Sequence, residues 1–380
     1  MSVTTGKPYD VAVIGAGPAG TVCAYHLSRA GADVLLLEKE TIPCYKCCAG
    51  GLTLKAAALL PIDAGALCEN TVFGARLCYG MGSEINHRYA QPITYLVRRE
   101  KLDGQLAEAA VSAGAHLKPA CRVYGLEQLD GKVRLDTAAG SLEAAYAIAA
   151  DGAGGAVGRT IAPRSQFKMG FGMECQVPFS GHKSLEWDGL VTIDLSPPIF
   201  GGYGWVFPKK DHLNIGVGGP VALSKVFRSY IKSLVEKKAG QNAEIKQLRG
   251  SLMPYRRKNT VMASGRVLLV GDAAGLMDPL SSEGIYAAAL SGRLAAEAIM
   301  KHQGEDVALF YRWAVEREIV PEWEAAESFL HTGLMAPHLV YSLVSRSPRA
   351  FSALSRLVRG EITYNYMKRR LGPFRLLMRP

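Results

Sequence analysis

Apolar residues follow two different periods along this chain, and the switches between them outline its architecture. Near the N-terminus Val11-Ala12-Val13-Ile14 is an unbroken apolar run, which predicts a strand buried on both faces. It enters Gly15-Ala16-Gly17-Pro18-Ala19-Gly20, a helical spacing continues to about Ala30, and a second apolar run, Val34 to Leu37, ends on Glu38. Arg99 to Ala113 predicts another helix, with Leu102, Leu106 and Ala110 on one face. Strand-like pieces fall between Thr71 and Pro92, around Lys118–Leu129 and Lys132–Leu135, and at Tyr146–Ala150, which delivers Asp151-Gly152-Ala153-Gly154 to a turn. From Phe167 the period shortens. Strands are predicted at Phe171–Val177, Leu190–Leu195, Gly202–Phe207 and Leu213–Gly218, then a lysine-rich helix near Val226–Lys238. Val267-Leu268-Leu269-Val270 restores the unbroken run and enters Gly271-Asp272-Ala273-Ala274-Gly275; the rest reads as helical.

Short strands with little helix between them predict an antiparallel sheet. The expected fold class is therefore α/β. A Rossmann-like domain (residues 1–75, 93–166 and 256–310) is interrupted by an antiparallel β-sheet substrate or lid domain (76–92 and 167–255), and a helical C-terminal extension (311–380) follows.

The two glycine turns carry the first chemistry. Gly15 permits a tight turn, Gly17 lets backbone approach a pyrophosphate, and Gly20 lets helix pack on strand. The helix N-terminus then faces the phosphates, and Glu38 can accept from a ribose hydroxyl. A nicotinamide enzyme has no need of the second turn, where Asp272 is placed to hold a ribityl chain. The pair predicts FAD, bound without a covalent link.

Composition adds compartment and charge. Hydrophobic residues make up 48% of the 380, enough for a large core, yet charges break every long apolar run and no bilayer span is expected. Met1 to Pro8 has no apolar core segment, so no signal peptide is expected, and eight cysteines then read as free thiols in the cytoplasm. The net charge of +10 is concentrated late: Arg346, Arg349, Arg356, Arg359, Lys368, Arg369, Arg370, Arg375 and Arg379 stand against Glu361 alone after Met335. Leu343, Val344, Phe351, Leu354, Leu357, Val358, Phe374, Leu376 and Leu377 interleave with them. That pattern predicts helices docked at an anionic membrane surface, peripheral at its inner face. The alternative is helices packed on the body with a basic face toward water or an acidic electron carrier. No nucleic-acid partner is expected. His26, His116 and His182 lack metal-ligand spacing, and no metal site is expected.

With these residues in hand, the chain resembles the geranylgeranyl reductase family, within the p-hydroxybenzoate hydroxylase-like flavoproteins. The wider group is carried by the N-terminal glycine turn, Arg99-Glu100-Lys101-Leu102-Asp103, Asp151-Gly152, and Gly271 to Gly275 through Pro279 to Glu283-Gly284-Ile285. Two pieces resemble the reductases themselves: Tyr203-Gly204-Trp205-Val206-Phe207-Pro208-Lys209, and Pro43-Cys44-Tyr45-Lys46-Cys47-Cys48-Ala49-Gly50-Gly51, with Ala49 where the family usually has glycine. The resemblance implies FAD contacts at Ala19, Lys39, Cys48, Ala49, Gly50, Arg99, Val123, Asp151, Gly152, Pro279, Gly284 and Ile285 beside those above.

On a strand, Tyr203, Trp205 and Phe207 share one face, a flat apolar wall suited to a polyprenyl chain or, more plainly, an ordinary hydrophobic sheet face. The cysteine loop admits a zinc site, a redox disulfide beside flavin, or a thiol, Cys48, near the isoalloxazine with Lys46 influencing it; its plain reading is a small buried residue. Glu283 reads as an acid of the helix N-terminus, and Arg99 and Asp151 as organisers of loops and phosphates.

The activity these residues imply is hydrogenation of trisubstituted double bonds in an isoprenoid or prenyl-lipid chain, a hydride from reduced flavin and a proton adding across the bond. The expected catalytic residues are Cys48 as proton source or flavin modulator, and Tyr203 and Trp205 as ring faces that stabilise positive charge. The electron donor is open between ferredoxin and NADPH. Rivals are a monooxygenase or halogenase on the same fold, whose Trp-x-Trp-x-Ile-Pro element is easily confused with this one, and a prenyl-binding protein without catalysis.

Overall fold

A computed structural model of the chain describes residues 8–179, 188–195, 201–304, 306–335 and 337–371. His182, Phe374, Arg375, Leu376, Leu377 and Arg379 lie outside the described residues.

The apolar runs build a parallel sheet core. Tyr9–Ile14 lies between Gly140–Ala149 and Val34–Leu37, and Val267–Leu269 and His116–Lys118 extend it in parallel on the two sides. Its central strands are buried on both faces, as unbroken apolar runs require. Helices Pro18–Arg29 and Ile285–Lys301 pack together at Gly292, where a Cβ would run into the Ala19 carbonyl. The two predicted glycine turns thus open side by side at one end of the sheet.

The second large sheet has seven strands, in the order Lys246–Arg256, Phe167–Pro178, His212–Pro220, Tyr203–Pro208, Leu190–Leu195, Gly74–Tyr79, Ile85–Arg88. Its pairings are antiparallel except one: Leu190–Leu195 runs parallel to Gly74–Tyr79, because the latter arrives from an earlier, separate crossing. Lys246–Arg256 is an eleven-residue strand that the apolar pattern does not reveal; its first residues are polar and exposed at the sheet edge. Cys68–Val72, Thr94–Val97 and Gly51–Thr53 form a third, small sheet between the two large ones.

The helical end comprises Asp306–Glu318, Val320–Met335, Pro337–Arg346, Pro348–Arg359 and Tyr364–Arg370. Ser347 caps the fourth of these, accepting from the Ala350 N–H at 3.2 Å. Phe351 and Leu357 on that helix are buried, and Leu354 and Val358 pack against neighbouring apolar clusters. The apolar residues expected to face lipid therefore mostly face the body. Leu343 does not; it lies exposed beside Leu339. No helix among the described residues is long and apolar enough to cross a membrane.

Candidate flavin and substrate site

Gly15 sits at φ +106°, a backbone state that L side chains rarely adopt, and donates its N–H to the Leu37 carbonyl at 2.7 Å. Gly20 has no room for a Cβ, which would meet the Gly15 carbonyl; Gly17 faces open space. Glu38 is buried, with Oε2 accepting from the Ala16 N–H at 2.9 Å and Oε1 from the Glu40 N–H at 3.1 Å. The acid thus shapes the loop itself, through bonds that leave lone pairs for a further donor. Lys39 beside it is exposed. Ala19 occupies the first turn of the helix, its methyl facing Gly271.

On the other side of the cleft, Gly271 donates to Ser291 Oγ at 2.9 Å, and half-buried Asp272 has its carboxyl pKa pushed up by desolvation, with Arg99 pulling the other way. Asp151 Oδ2 accepts from the Val157 and Gly158 N–H groups at 2.9 and 3.2 Å, capping helix Ala156–Ile161. Its Oδ1 is buried with no partner among the described residues, and Gly152 next to it faces open space. Val123 begins a strand and is buried. In the loop through Pro279, Asp278 Oδ1 accepts from the Leu280 and Ser281 N–H groups at 2.9 and 2.8 Å, and helix Ile285–Lys301 starts after Gly284. Glu283 is more than a helix-terminal acid: it accepts from Thr53 Oγ1 and pairs with Lys55 Nζ at 3.2 Å, tying this loop to the small sheet.

The cysteine loop crosses between the domains. All eight cysteines are free thiols, so the loop holds no disulfide. The Cys48 thiol accepts from the Gly50 N–H at 3.4 Å, and the Cys48 N–H donates to Glu174 Oε1 at 2.9 Å. The expected neighbour, Lys46, turns away toward Glu38, 3.9 Å off, where its charge acts on Cys44. The cations close to Cys48 are Arg99 and Lys209. Arg99 is held by Asp103 through two bonds of 2.9 Å. Lys209 is 4% exposed and donates to the Val97 carbonyl at 2.9 Å; burial pulls its amine down to about 8. Gly50, at φ +72°, has that carbonyl and that amine where a Cβ would stand. Ala49 lies between Cys48 and Gly50 in the same half-buried loop.

The aromatic row is present and spans the cleft. Ring centroids are 6.1 Å apart from Tyr203 to Trp205 and 6.4 Å from Trp205 to Phe207. Each ring is fixed at a different place. Tyr203 Oη donates to the Ser281 carbonyl at 2.6 Å, Trp205 Nε1 donates to Asn214 Oδ1 at 2.8 Å, and Phe207 lies against Gly51. Asn214 passes the link on, donating to Glu174 Oε2 at 3.0 Å, while Tyr45 Oη donates to Glu174 Oε1 at 2.6 Å. Glu174 is 1% exposed and accepts all three bonds. One buried carboxylate thereby joins the aromatic row to the cysteine loop.

Comparison with known proteins gives the family. A family model for an FAD binding domain matches residues 8–180. The chain is 31% identical over 315 residues to menaquinone reductase of Mycobacterium tuberculosis, covering 76% of each chain. It is 30% identical over 320 residues to the chloroplastic geranylgeranyl diphosphate reductase of Nicotiana tabacum, covering 78% of this chain and 67% of that one. The chain belongs to the geranylgeranyl reductase family. In fold, it matches a geranylgeranyl bacteriochlorophyll reductase-like protein of Thermoplasma acidophilum with a TM-score of 0.71, at 23% identity over 95% of this chain and 94% of that one. A flavin-dependent brominase matches with a TM-score of 0.73, at 21% identity over 93% and 94%. Both likenesses speak to architecture alone.

This reductase is an FAD-dependent oxidoreductase. Its residues fit that cofactor: the open faces of Gly17 and Gly152, the half-buried Asp272 and the Asp151 Oδ1, without a partner among the described residues, lie at one mouth of the parallel sheet. Sequence reading missed Glu174, Asn214, Tyr45 and Lys209. Glu174 had a signal, a lone acid in the apolar strand Phe171–Val177; Lys209 directly follows the aromatic signature. Asn214 and Tyr45 had none, since each matters only through a partner distant in sequence.

Proposed function

We propose that the enzyme hydrogenates carbon–carbon double bonds of a geranylgeranyl or other isoprenoid chain, whether on a lipid, a quinone tail or a prenyl diphosphate. The observation that carries this is the aromatic row, held rigid across the cleft between cysteine loop and Ser281–Ser282 loop. Residues 76–92 and 167–255 serve as the substrate layer over the flavin domain. FAD bound there would, once reduced, supply a hydride equivalent. An isolated alkene is a poor electrophile, so the protein must offer stabilisation to positive charge and a proton to the second carbon. The ring faces of Tyr203 and Trp205 fill the first role; the Tyr203 hydroxyl is committed to Ser281 and acts as an anchor. Cys48 is the proposed proton donor or flavin modulator, with Arg99 and Lys209 beside it to balance charge. FAD contacts are assigned to the glycine turns, Glu38, Asp151 and Asp272. The names of the menaquinone and geranylgeranyl diphosphate reductases support the substrate class.

A prenyl-lipid substrate resides in a bilayer, and the reading includes docking at an anionic surface from the cytoplasmic side. Helix Pro337–Arg346 supports such a contact better than the packed helix Pro348–Arg359, since its Leu339 and Leu343 are 72% and 61% exposed next to exposed Arg346 and Arg349. The decisive experiment reduces the flavin anaerobically, with NADPH and with ferredoxin in parallel, and offers a panel of geranylgeranyl compounds. Mass spectrometry should show additions of two hydrogens. Oxygen or halogen incorporation under air would place the protein with the oxygen-using enzymes of this fold, and a colourless protein that only binds prenyl chains would end the catalytic reading.

A further inference from the structure

On its flavin-domain face, the seven-stranded sheet has a trough whose floor lacks side chains. Strand pairing sets Tyr203 opposite Gly218 and Trp205 opposite Gly216, and Gly218 in turn opposite Gly172. Two side chains occupy the trough from opposite edges. The Trp205 ring covers Gly216, and its Cζ3 stands 3.7 Å from the point a Cβ on Gly218 would take. From the other edge, Met253 brings Cε to 3.5 Å of that same point, and its Sδ lies 3.4 Å from the Cβ position of Gly172.

The two differ in freedom. Trp205 is locked by its bond to Asn214, itself held by Glu174. Met253 is only half-buried, and its sole polar contact among the described residues is the Tyr255 hydroxyl to Sδ at 3.8 Å. An unbranched thioether with three rotatable bonds re-packs easily. The trough continues the aromatic row, so an apolar chain laid on Trp205 next meets the Met253 methyl.

We infer that Met253 is a specificity-determining residue: an incoming chain displaces its thioether, and its bulk sets how many isoprene units fit beyond Trp205. This rests on the reading that the aromatic row binds an isoprenoid. A Cβ-free floor suits a thin, flat chain, and in an apolar pocket a change of methylene size shifts preference by roughly 10–200-fold.

The test uses the FAD-loaded enzyme and prenyl alcohols of two, three, four and five isoprene units. Dissociation constants come from calorimetry on oxidised enzyme, KM and kcat from anaerobic turnover. Met253→Phe should weaken binding of the four-unit chain by at least about tenfold while leaving the two-unit chain within about threefold. Met253→Ala should gain most for the five-unit chain, and the near-isosteric Met253→Leu should keep the wild-type ratios. Unchanged flavin absorbance and melting temperature certify that each variant folds. If wild type binds and reduces the series but the ratios are the same in all variants, Met253 has no such role. If wild type neither binds nor reduces any member, the isoprenoid reading itself fails, and this inference with it.

Discussion

On strand Tyr203–Pro208, Gly204 and Val206 face helix Ser224–Ala239, while Tyr203, Trp205 and Phe207 face the flavin domain; the neighbouring strands divide the same way. Toward the helix lie Cys175, Val177, Ile215 and Val217 under Phe227, Ile231 and Leu234, an apolar layer with Tyr230 against Gly204. Toward the flavin domain the same strands carry Glu174, Asn214, glycines and the aromatic row. The first face has the composition of a core, interrupted by Asp194, which is fully buried and accepts from the Tyr230 hydroxyl and the Met81 N–H. The second places a carboxylate, two cations and half-exposed rings in a buried seam, which folding alone does not favour. A region that departs from the cheapest packing in this way is where chemistry is to be sought.

The division should show first in the glycine turn, which has an inward and an outward position of its own. Gly20→Val drives a side chain into the Gly15 carbonyl and should abolish folding, seen as loss of soluble protein. Gly17→Val points into open space; thermal melting of the apo-protein should be nearly unchanged while FAD affinity, measured by flavin absorbance after gel filtration, falls at least about tenfold. A fully yellow Gly17→Val protein would contradict the cleft assignment.

On the core side of the sheet, Phe227→Ala should cost about 3–5 kcal/mol in urea unfolding, with the flavin spectrum of the folded fraction unaltered. Phe227 is fully buried, its ring 6.2 Å from that of Phe171.

Lys209 brings pH into the comparison. Its folded value, about 8, lies below the ordinary 10.5. Between the two, the folded chain holds a neutral amine and the unfolded chain an ammonium, so the unfolded state binds more protons and stability rises with pH through that window. At about 1.4 kcal/mol per pH unit, wild type should gain up to roughly 3 kcal/mol on Lys209→Met between the two ends. Parallel stability curves for the two proteins would mean that the amine is solvated.

Glu174→Gln should cost less, about 1–3 kcal/mol, by setting an amide N–H₂ against donors that now point at a carboxylate. Because Tyr45, Cys48 and Asn214 all donate to it, the same variant should loosen the cysteine loop. Faster alkylation of Cys48, followed by peptide mass spectrometry, would report that; an unchanged rate would mean the loop is held from elsewhere.

How much of this was legible beforehand follows from range. The centre of the parallel core was readable because its strands declare themselves in four consecutive residues, Val11 to Ile14 or Val267 to Val270; the three-residue edge strand His116–Lys118 has no such run. The aromatic row was readable because period two puts three rings on one face whatever the neighbours are. The seam was not. Glu174 meets Cys48 across 126 residues and Lys209 meets Val97 across 112, and no local period encodes either. Lys46 shows the converse: proximity in sequence suggested a partner for Cys48, and the stronger attraction of the buried Glu38 turned it away. On the last helices, alternation of apolar and basic residues was compatible with lipid or with packing, and the burial of Phe351 and Leu357 decides for packing there.

The smallest effect expected is also the one that best separates anchor from surface. Trp205→Phe keeps an aromatic face on the flavin side but removes the Nε1–H that donates to Asn214. Stability should drop by only about 0.5–1.5 kcal/mol, the net worth of one hydrogen bond, with FAD retained. If Trp205 acts through its ring face alone, turnover of a prenyl substrate should fall modestly, since Phe still offers a π surface, and Trp205→Ala should fall much further. If instead the ring must be locked in place by Asn214, Trp205→Phe and Asn214→Leu should lose turnover alike, although only the first touches the wall. Measuring kcat on both variants distinguishes the two. Equal, unimpaired turnover in Trp205→Phe, Asn214→Leu and Trp205→Ala would show that the aromatic row is a second core face after all, and that the two sides of the sheet differ less than their composition suggests.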